Sequence, residues 1–224
     1  MKKISVFAIS TLAMTLFLFS ISGCAIFKNH HKIQKNAEQL AKEGVTAFRN
    51  QEFQKAIDSF TTLKDWYPFS KYVNLAQVKI ADAYFKLKEY DEALSAYHNF
   101  ETLHPKNDAI PYVIYRSGLC WYNRIDSVDR QQSYTEKGLA QFRRLTERFP
   151  DNPYSFKAER KIKKCIENLA GHELYVANFY LKSKHYKSAL NRFEYLFAHY
   201  PDTEQGRKAL SMIEKCRKLV NVEK

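Results

Sequence analysis

The amino-acid sequence predicts an all-α fold, a superhelical stack of antiparallel helix pairs with about nine helices. Three observations predict it. Pro68, Pro105, Pro150 and Pro201 close four segments written in one register: a small residue stands twelve positions earlier (Ala56, Ala93, Gly138, Ala189), an aromatic eight earlier (Phe60, Tyr97, Phe142, Phe193) and a large apolar residue five earlier (Leu63, Phe100, Leu145, Leu196). Such a segment is a helix that buries one face and is stopped by a residue lacking the N–H that a further turn needs. Second, twelve positions before Ala56, Ala93 and Ala189 lie Gly44, Ala81 and Ala177, each inside another amphipathic stretch, so every unit is a pair of helices crossing closely at small residues. Third, no stretch keeps the period-two alternation of a convincing strand.

In chain order the expected helices cover residues 33–50, 53–66, 70–87, 90–103, 111–125, 133–148, 154–183, 186–199 and 203–220. The small-residue pattern resembles the tetratricopeptide repeat, whose unit is about 34 residues long; here the proline intervals are 37, 45 and 51. In the third unit Gly118 precedes Gly138 by twenty positions, eight more than usual, which places a longer loop around residues 126–133. In the fourth the surplus precedes Ala177, and residues 154–183 read as one long or kinked helix with Gly171 the possible break. The repeats are expected at 37–70, 74–107, 111–152 and 170–203. The final helix, with Thr203 or Asp202 as N-cap and apolar Ala209, Leu210, Ile213 and Leu219, has no partner and caps the stack.

The N-terminus reads differently. Lys2 and Lys3 precede an uncharged apolar stretch over residues 4–21, followed by Ile21-Ser22-Gly23-Cys24. A positive region, an apolar region and a small-residue cleavage site make a secretory signal. The last four residues resemble the bacterial lipobox, which implies a signal peptide over 1–23, a lipidated tether over 24–32, and a diacylglycerol and an N-acyl chain on Cys24. An uncleaved transmembrane helix, for which about 20 apolar residues suffice, is the alternative, but it leaves Gly23-Cys24 unexplained. Ala25, where an aspartate would suggest inner-membrane retention, implies the periplasmic face of an outer membrane. Removing residues 1–23 takes two lysines and no acid, leaving 34 basic against 24 acidic side chains and a formal charge of +10. A periplasmic address disfavours nucleic acid as the partner of that charge and favours acidic proteins or anionic lipid. Cys120, Cys165 and Cys216 fall within helical patterns, as buried small hydrophobes or, for two of them, a disulfide.

Signs of catalysis are sparse. The six glycines form no phosphate-cradling loop, the seven histidines show no HExxH spacing, and no cofactor beyond the lipid on Cys24 is expected. Aromatics are plentiful, with 15 Tyr, 16 Phe and 2 Trp. Most fill repeat positions, but Trp66, Phe69, Tyr72, Phe85, Tyr112, Tyr115 and Tyr122 gather between the first and third units, where stacked repeats present a concave face. With Lys71 and Arg116 nearby, that surface suits an extended peptide ending in an aromatic residue and a carboxylate; packing is the plainer account. Lys157, Arg160, Lys161 and Lys164 share one face of the long helix, as a solvated stripe or as a dock for an acidic partner or anionic headgroups.

Lipobox and repeats together, with Tyr67-Pro68-Phe69 and Tyr72, Tyr112-Val113-Ile114-Tyr115 ahead of Gly118-Leu119, and Asn191-Arg192 ahead of Tyr200-Pro201-Asp202-Thr203, resemble the BamD family of outer-membrane assembly lipoproteins. The resemblance spans the mature chain and implies a non-enzymatic scaffold. Its partners would be the C-terminal segments of unfolded outer-membrane proteins, received by the groove of Trp66, Tyr67, Phe69, Lys71, Tyr72, Tyr112, Tyr115 and Arg116; a periplasmic domain of the barrel-forming subunit, contacted by Arg192; and other assembly lipoproteins. The alternative is another periplasmic repeat lipoprotein, an adaptor for peptidoglycan enzymes or a secretin pilotin.

Overall fold

A computed structural model describes residues 34–222; the expected signal peptide over 1–23, the expected lipidation at Cys24 and the expected tether over 24–32 lie outside them. The described part of the compact unit that begins at Ala37 is built from helices α1 (Ala37–Arg49), α2 (Phe53–Trp66), α3 (Val73–Leu87), α4 (Tyr90–Leu103), α5 (Ile110–Tyr122), α6 (Ser133–Arg148), α7 (Pro153–Lys182), α8 (Tyr186–His199) and α9 (Glu204–Val222), with no strand among the described residues.

Two kinds of turn set the stack. After α2, α4, α6 and α8 the residue before proline leaves the helix at φ near −130° to −139°, with Tyr67, His104, Phe149 and Tyr200 adopting almost the same angles. Proline disfavours the helical region for its predecessor. Each of these residues nevertheless donates its N–H to the carbonyl four back, Leu63, Phe100, Leu145 or Leu196, at 2.9–3.0 Å. The aromatic or histidine is therefore the last ring the helix presents before the chain turns. Within the hairpins α1–α2, α3–α4 and α7–α8 the turn is closed by Gln51, Lys88 and Lys184 at φ of 64°, 65° and 62°. The next N–H in each case reaches back five residues, to Ala47, Tyr84 or Tyr180, in the left-handed cap that glycine usually supplies.

The small residues do what their spacing predicts. A Cβ on Gly44 would lie 2.7 Å from the Phe60 ring, and one on Gly118 would lie 2.5 Å from Phe142. The α1–α2 and α5–α6 hairpins are thus locked by an aromatic knob filling the space a missing side chain leaves. The buried apolar residues form three clusters, centred on Phe60 and Leu63, on Tyr97, Phe100, Ile114 and Phe142, and on Phe193, Leu196 and Ile213. Tyr84 packs against the first two and Tyr200 against the last two, so the core is continuous along the stack. Cys120, Cys165 and Cys216 are buried, unpaired members of these clusters.

The long helix is unbroken over 30 residues, about 45 Å. Asn152 caps it, its side chain accepting from the Tyr154 N–H at 3.0 Å, and Pro153 fills the first turn. Gly171 is a seat, not a break: Val128 of the long α5–α6 loop packs where a Cβ would stand, 3.0 Å away. His172 Nδ1 donates to the Val128 carbonyl at 2.6 Å, and Asn168 donates to Gln132 and Thr135 at 2.6 and 3.1 Å. The extra loop residues of the third unit therefore grip the middle of α7. At the start of α9 Thr203 is the cap, its hydroxyl accepting from the Gly206 N–H at 2.9 Å and donating to the Tyr200 carbonyl at 2.8 Å.

Across an intervening helix α1 meets α3, α5 meets α7 and α7 meets α9, and the Asp82–Tyr112 hydrogen bond joins α3 to α5, whereas the even-numbered helices make no comparable contacts with one another. Elements that meet across an intervening helix lie on the inside of the curve, so the odd helices line the concave face. Among the described residues no helix is long and apolar enough to cross a membrane.

Candidate partner-binding surface

At the centre of the concave side is a polar knot that sequence patterning passed over. Asp82 on α3, 2% exposed, receives Tyr97 Oη from α4 and Tyr112 Oη from α5, both at 2.6 Å on Oδ1. Arg116 Nε donates to Tyr97 Oη at 3.0 Å and stands 3.4 Å from Asp82 Oδ1, and Lys79 Nζ reaches Oδ2 at 3.0 Å. The Arg116 guanidinium lies over the Phe85 ring, 3.7 Å from its centroid. A buried carboxylate is tolerable only when its lone pairs are filled and its charge is met, and here three helices supply the partners. Burial first, and then the Asp82 charge, push the Tyr97 and Tyr112 phenols far above their ordinary range, so both remain donors at any physiological pH. One signal was present in the sequence: Asp82 is the single acid in α3 and falls between Ala81 and Ala83 on its buried face.

From this knot an aromatic run continues toward α7. Tyr154 makes ring contacts with Tyr112 at 5.3 Å and Tyr115 at 5.7 Å, and Tyr115 and Tyr122 both contact Phe142, at 5.9 and 6.2 Å. Lys157 sits over Tyr154 at 4.8 Å and Lys161 over Tyr122 at 3.9 Å. Burial raises the Tyr115 and Tyr122 phenols as well.

The expected groove residues therefore separate into two groups. Tyr112, Tyr115 and Arg116 are part-buried and held by the second core and the Asp82 knot. Trp66 ends α2, and Tyr67, Phe69, Lys71 and Tyr72 form the α2–α3 turn that follows, where Tyr67 and Tyr72 pack on the first core. Phe69 is 100% and Trp66 55% exposed, and Lys71 is exposed with its ammonium 5.2 Å from the Tyr72 ring. The outward-facing part of the predicted set is thus the turn, while the α5 residues form a rigid wall. The proline that ends α2 forces this: it turns the chain before a further helical turn could bury Phe69.

Arg192 is exposed on α8 and is met by α7, its Nη1 donating to Glu173 Oε2 at 3.1 Å. Glu173 also lines a small cavity with Gln132, His172, Tyr195 and Tyr200. Among the described residues no group of three or more His, Cys, Asp or Glu side chains is placed to hold a metal ion.

Comparison with known proteins matches this framework along almost its whole length. Outer membrane protein assembly factor BamD of Vibrio cholerae is 30% identical over 184 residues, covering 78% of this chain and 76% of that protein. Its counterpart in Rickettsia prowazekii is 30% identical over 190 residues, 85% of this chain and 76% of the relative. That of Neisseria meningitidis serogroup A is 28% identical over 189 residues, 80% and 71%. The helices, turns and knot described above all fall within residues 33–224, which match the family model YfiO, outer membrane lipoprotein, and the chain belongs to that family.

Proposed function

We propose that this chain is a lipid-anchored scaffold of outer-membrane β-barrel assembly, cut before Cys24, tethered through residues 24–32 to the periplasmic face of the outer membrane, and non-enzymatic in its action. The observation that carries the reading is that similarity to proteins named as outer-membrane assembly factors runs through the repeat stack and is not confined to a short motif. A stack of this kind works by presenting surfaces. The α2–α3 turn, with Trp66, Phe69 and Lys71 outward beside the rigid Tyr112–Tyr115–Arg116 wall, receives the C-terminal segments of unfolded barrel proteins. Arg192, 45% exposed and held by one hydrogen bond to Glu173, docks a carboxylate of the barrel-forming subunit's periplasmic domain, with other assembly lipoproteins completing the complex.

Photo-crosslinking from position 69 in native membranes tests the proposal. Unfolded outer-membrane proteins and a barrel-forming subunit are the expected captures; recovery of peptidoglycan amidases or a secretin in their place would refute it. Arg192→Glu is expected to release the barrel-forming subunit with the helical circular dichroism unchanged, and retention of the subunit would remove Arg192 from the interface. Cys24→Ser is expected to abolish palmitate labelling.

A further inference from the structure

The first half of α7 carries a face that the assembly role leaves unused. At about 100° per residue, Lys157, Arg160, Lys161 and Lys164 fall within an arc of about 100°. The core-facing residues Ala158 and Cys165 lie on one side of this arc, and Tyr154 at its edge meets α5. Lys161 reaches over Tyr122 of α5 and Lys157 sits over Tyr154, which itself meets α5, so the cationic face borders α5 on the inside of the curve. Of the two acids of this half-helix, Glu159 points away from the arc and Glu167 flanks it about 20° beyond Arg160; both line a cleft of about 740 Å³ against Tyr200, Pro201 and Arg207. None of the four cations pairs with a carboxylate of another described residue, although Arg144, Arg148, Arg192 and Arg217 elsewhere all do.

Lys161 sharpens the point. It is part-buried, seated 3.9 Å from the Tyr122 centroid, and both burial and the charge of Lys164 hold its ammonium below the usual lysine value. A cation kept in such a place without a counter-charge gains from any anion brought to it. Spacing selects the kind of anion. Lys157 and Lys161 are separated along the axis by about 6 Å, close to the roughly 6.6 Å between alternate side chains on one face of an extended chain. A strip inside a curved stack also admits a polypeptide more readily than a bilayer surface, which is flat on this scale.

We propose that the Lys157–Arg160–Lys161–Lys164 face of α7 is a docking strip for an extended acidic polypeptide segment, whose alternate carboxylates pair with successive cations along the helix. The strip is separate from the α2–α3 turn and from Arg192, and its occupancy does not depend on the assembly role.

Fluorescence anisotropy on the full chain in neutral detergent tests it, using a labelled peptide with glutamate at every second position and a glutamine version as the neutral control. Lys157→Gln/Lys161→Gln/Lys164→Gln is expected to weaken binding of the acidic peptide about tenfold or more. The charge-matched Lys86→Gln/Lys106→Gln/Lys218→Gln is expected to change it less than about twofold, because exposed, distant charges are screened. Lys157→Gln/Lys164→Gln, both at exposed positions, serves if loss of Lys161 disturbs the fold. Equal losses in the two triples, equal binding of the glutamine peptide, or displacement of the acidic peptide by short-chain phosphatidylglycerol at lower concentration than by unlabelled peptide would each overturn the proposal. All of these leave the crosslinking from position 69 unaffected, so failure here is distinct from failure of the assembly role.

Discussion

Replacing Asp82 with alanine removes the one residue on which α3, α4 and α5 converge. The carboxylate is 2% exposed and accepts from two phenols at 2.6 Å and from Lys79 at 3.0 Å, with Arg116 at 3.4 Å. Its loss leaves the Arg116 charge, 14% exposed, without its carboxylate, and breaking a buried pair from one side costs about 3–5 kcal/mol. Part of that, about 1–3 kcal/mol, is the fully buried Tyr97 hydroxyl left with no acceptor. For a domain of this size each kcal/mol lowers Tm by about 2–4 °C, so a fall of about 6–20 °C is expected in thermal circular dichroism. Asp82→Asn keeps an acceptor oxygen and loses the charge, and is expected to cost about 1–3 kcal/mol. If the knot is a charge pair, Arg116→Met is less damaging in the Asp82→Asn background than alone. An Asp82→Ala cost below about 1 kcal/mol, or alanine and asparagine variants of equal stability, would refute the account of the knot as a buried, charge-compensated junction.

Three further outcomes are expected. Gln51, Lys88 and Lys184 sit in left-handed conformations that penalise a Cβ, so Lys88→Gly is expected to stabilise by about 0.5–1 kcal/mol; destabilisation under urea would show its side chain to matter more than its φ. Gly206→Ala would place a Cβ 2.0 Å from the Tyr200 carbonyl oxygen, a backbone atom, and is expected to cost about 1–3 kcal/mol and loosen the α8–α9 turn in hydrogen exchange. Burial pushes the Cys120 thiol up to about 12 and that of Cys165 up to about 11, so both are expected to resist iodoacetamide at pH 8 until the chain is unfolded. Because these thiols stay protonated in the folded chain after the unfolded ones have begun to ionise near 9.0, their contribution to stability is complete below that pH and is lost as pH climbs toward 11–12.

The helices, their order and their close crossings were legible in the chain because they rest on local rules. Proline past the first turn stops a helix, and a Gly or Ala at the crossing leaves room for a ring whichever repeat it belongs to. Thr203 was readable as a cap on the same grounds. Gly171 was ambiguous, since a glycine within a helical pattern serves equally as a break or as a seat, and only the arrival of Val128 from 43 residues away decides between them. The aromatic surface was legible in composition but not in direction. Tyr112 and Arg116 read as groove residues in one dimension, and their tie to Asp82 is hidden there because it lies 30 and 34 positions earlier on another helix. Periodicity reports which face of a helix is apolar. It carries no record of which distant polar group will be desolvated against it, and that depends on how three helices converge. By itself the sequence determined the repeat, its interruptions and the cationic face of α7; the tertiary structure alone decided which aromatics are core, which remain outward at Trp66 and Phe69, and which charges have partners.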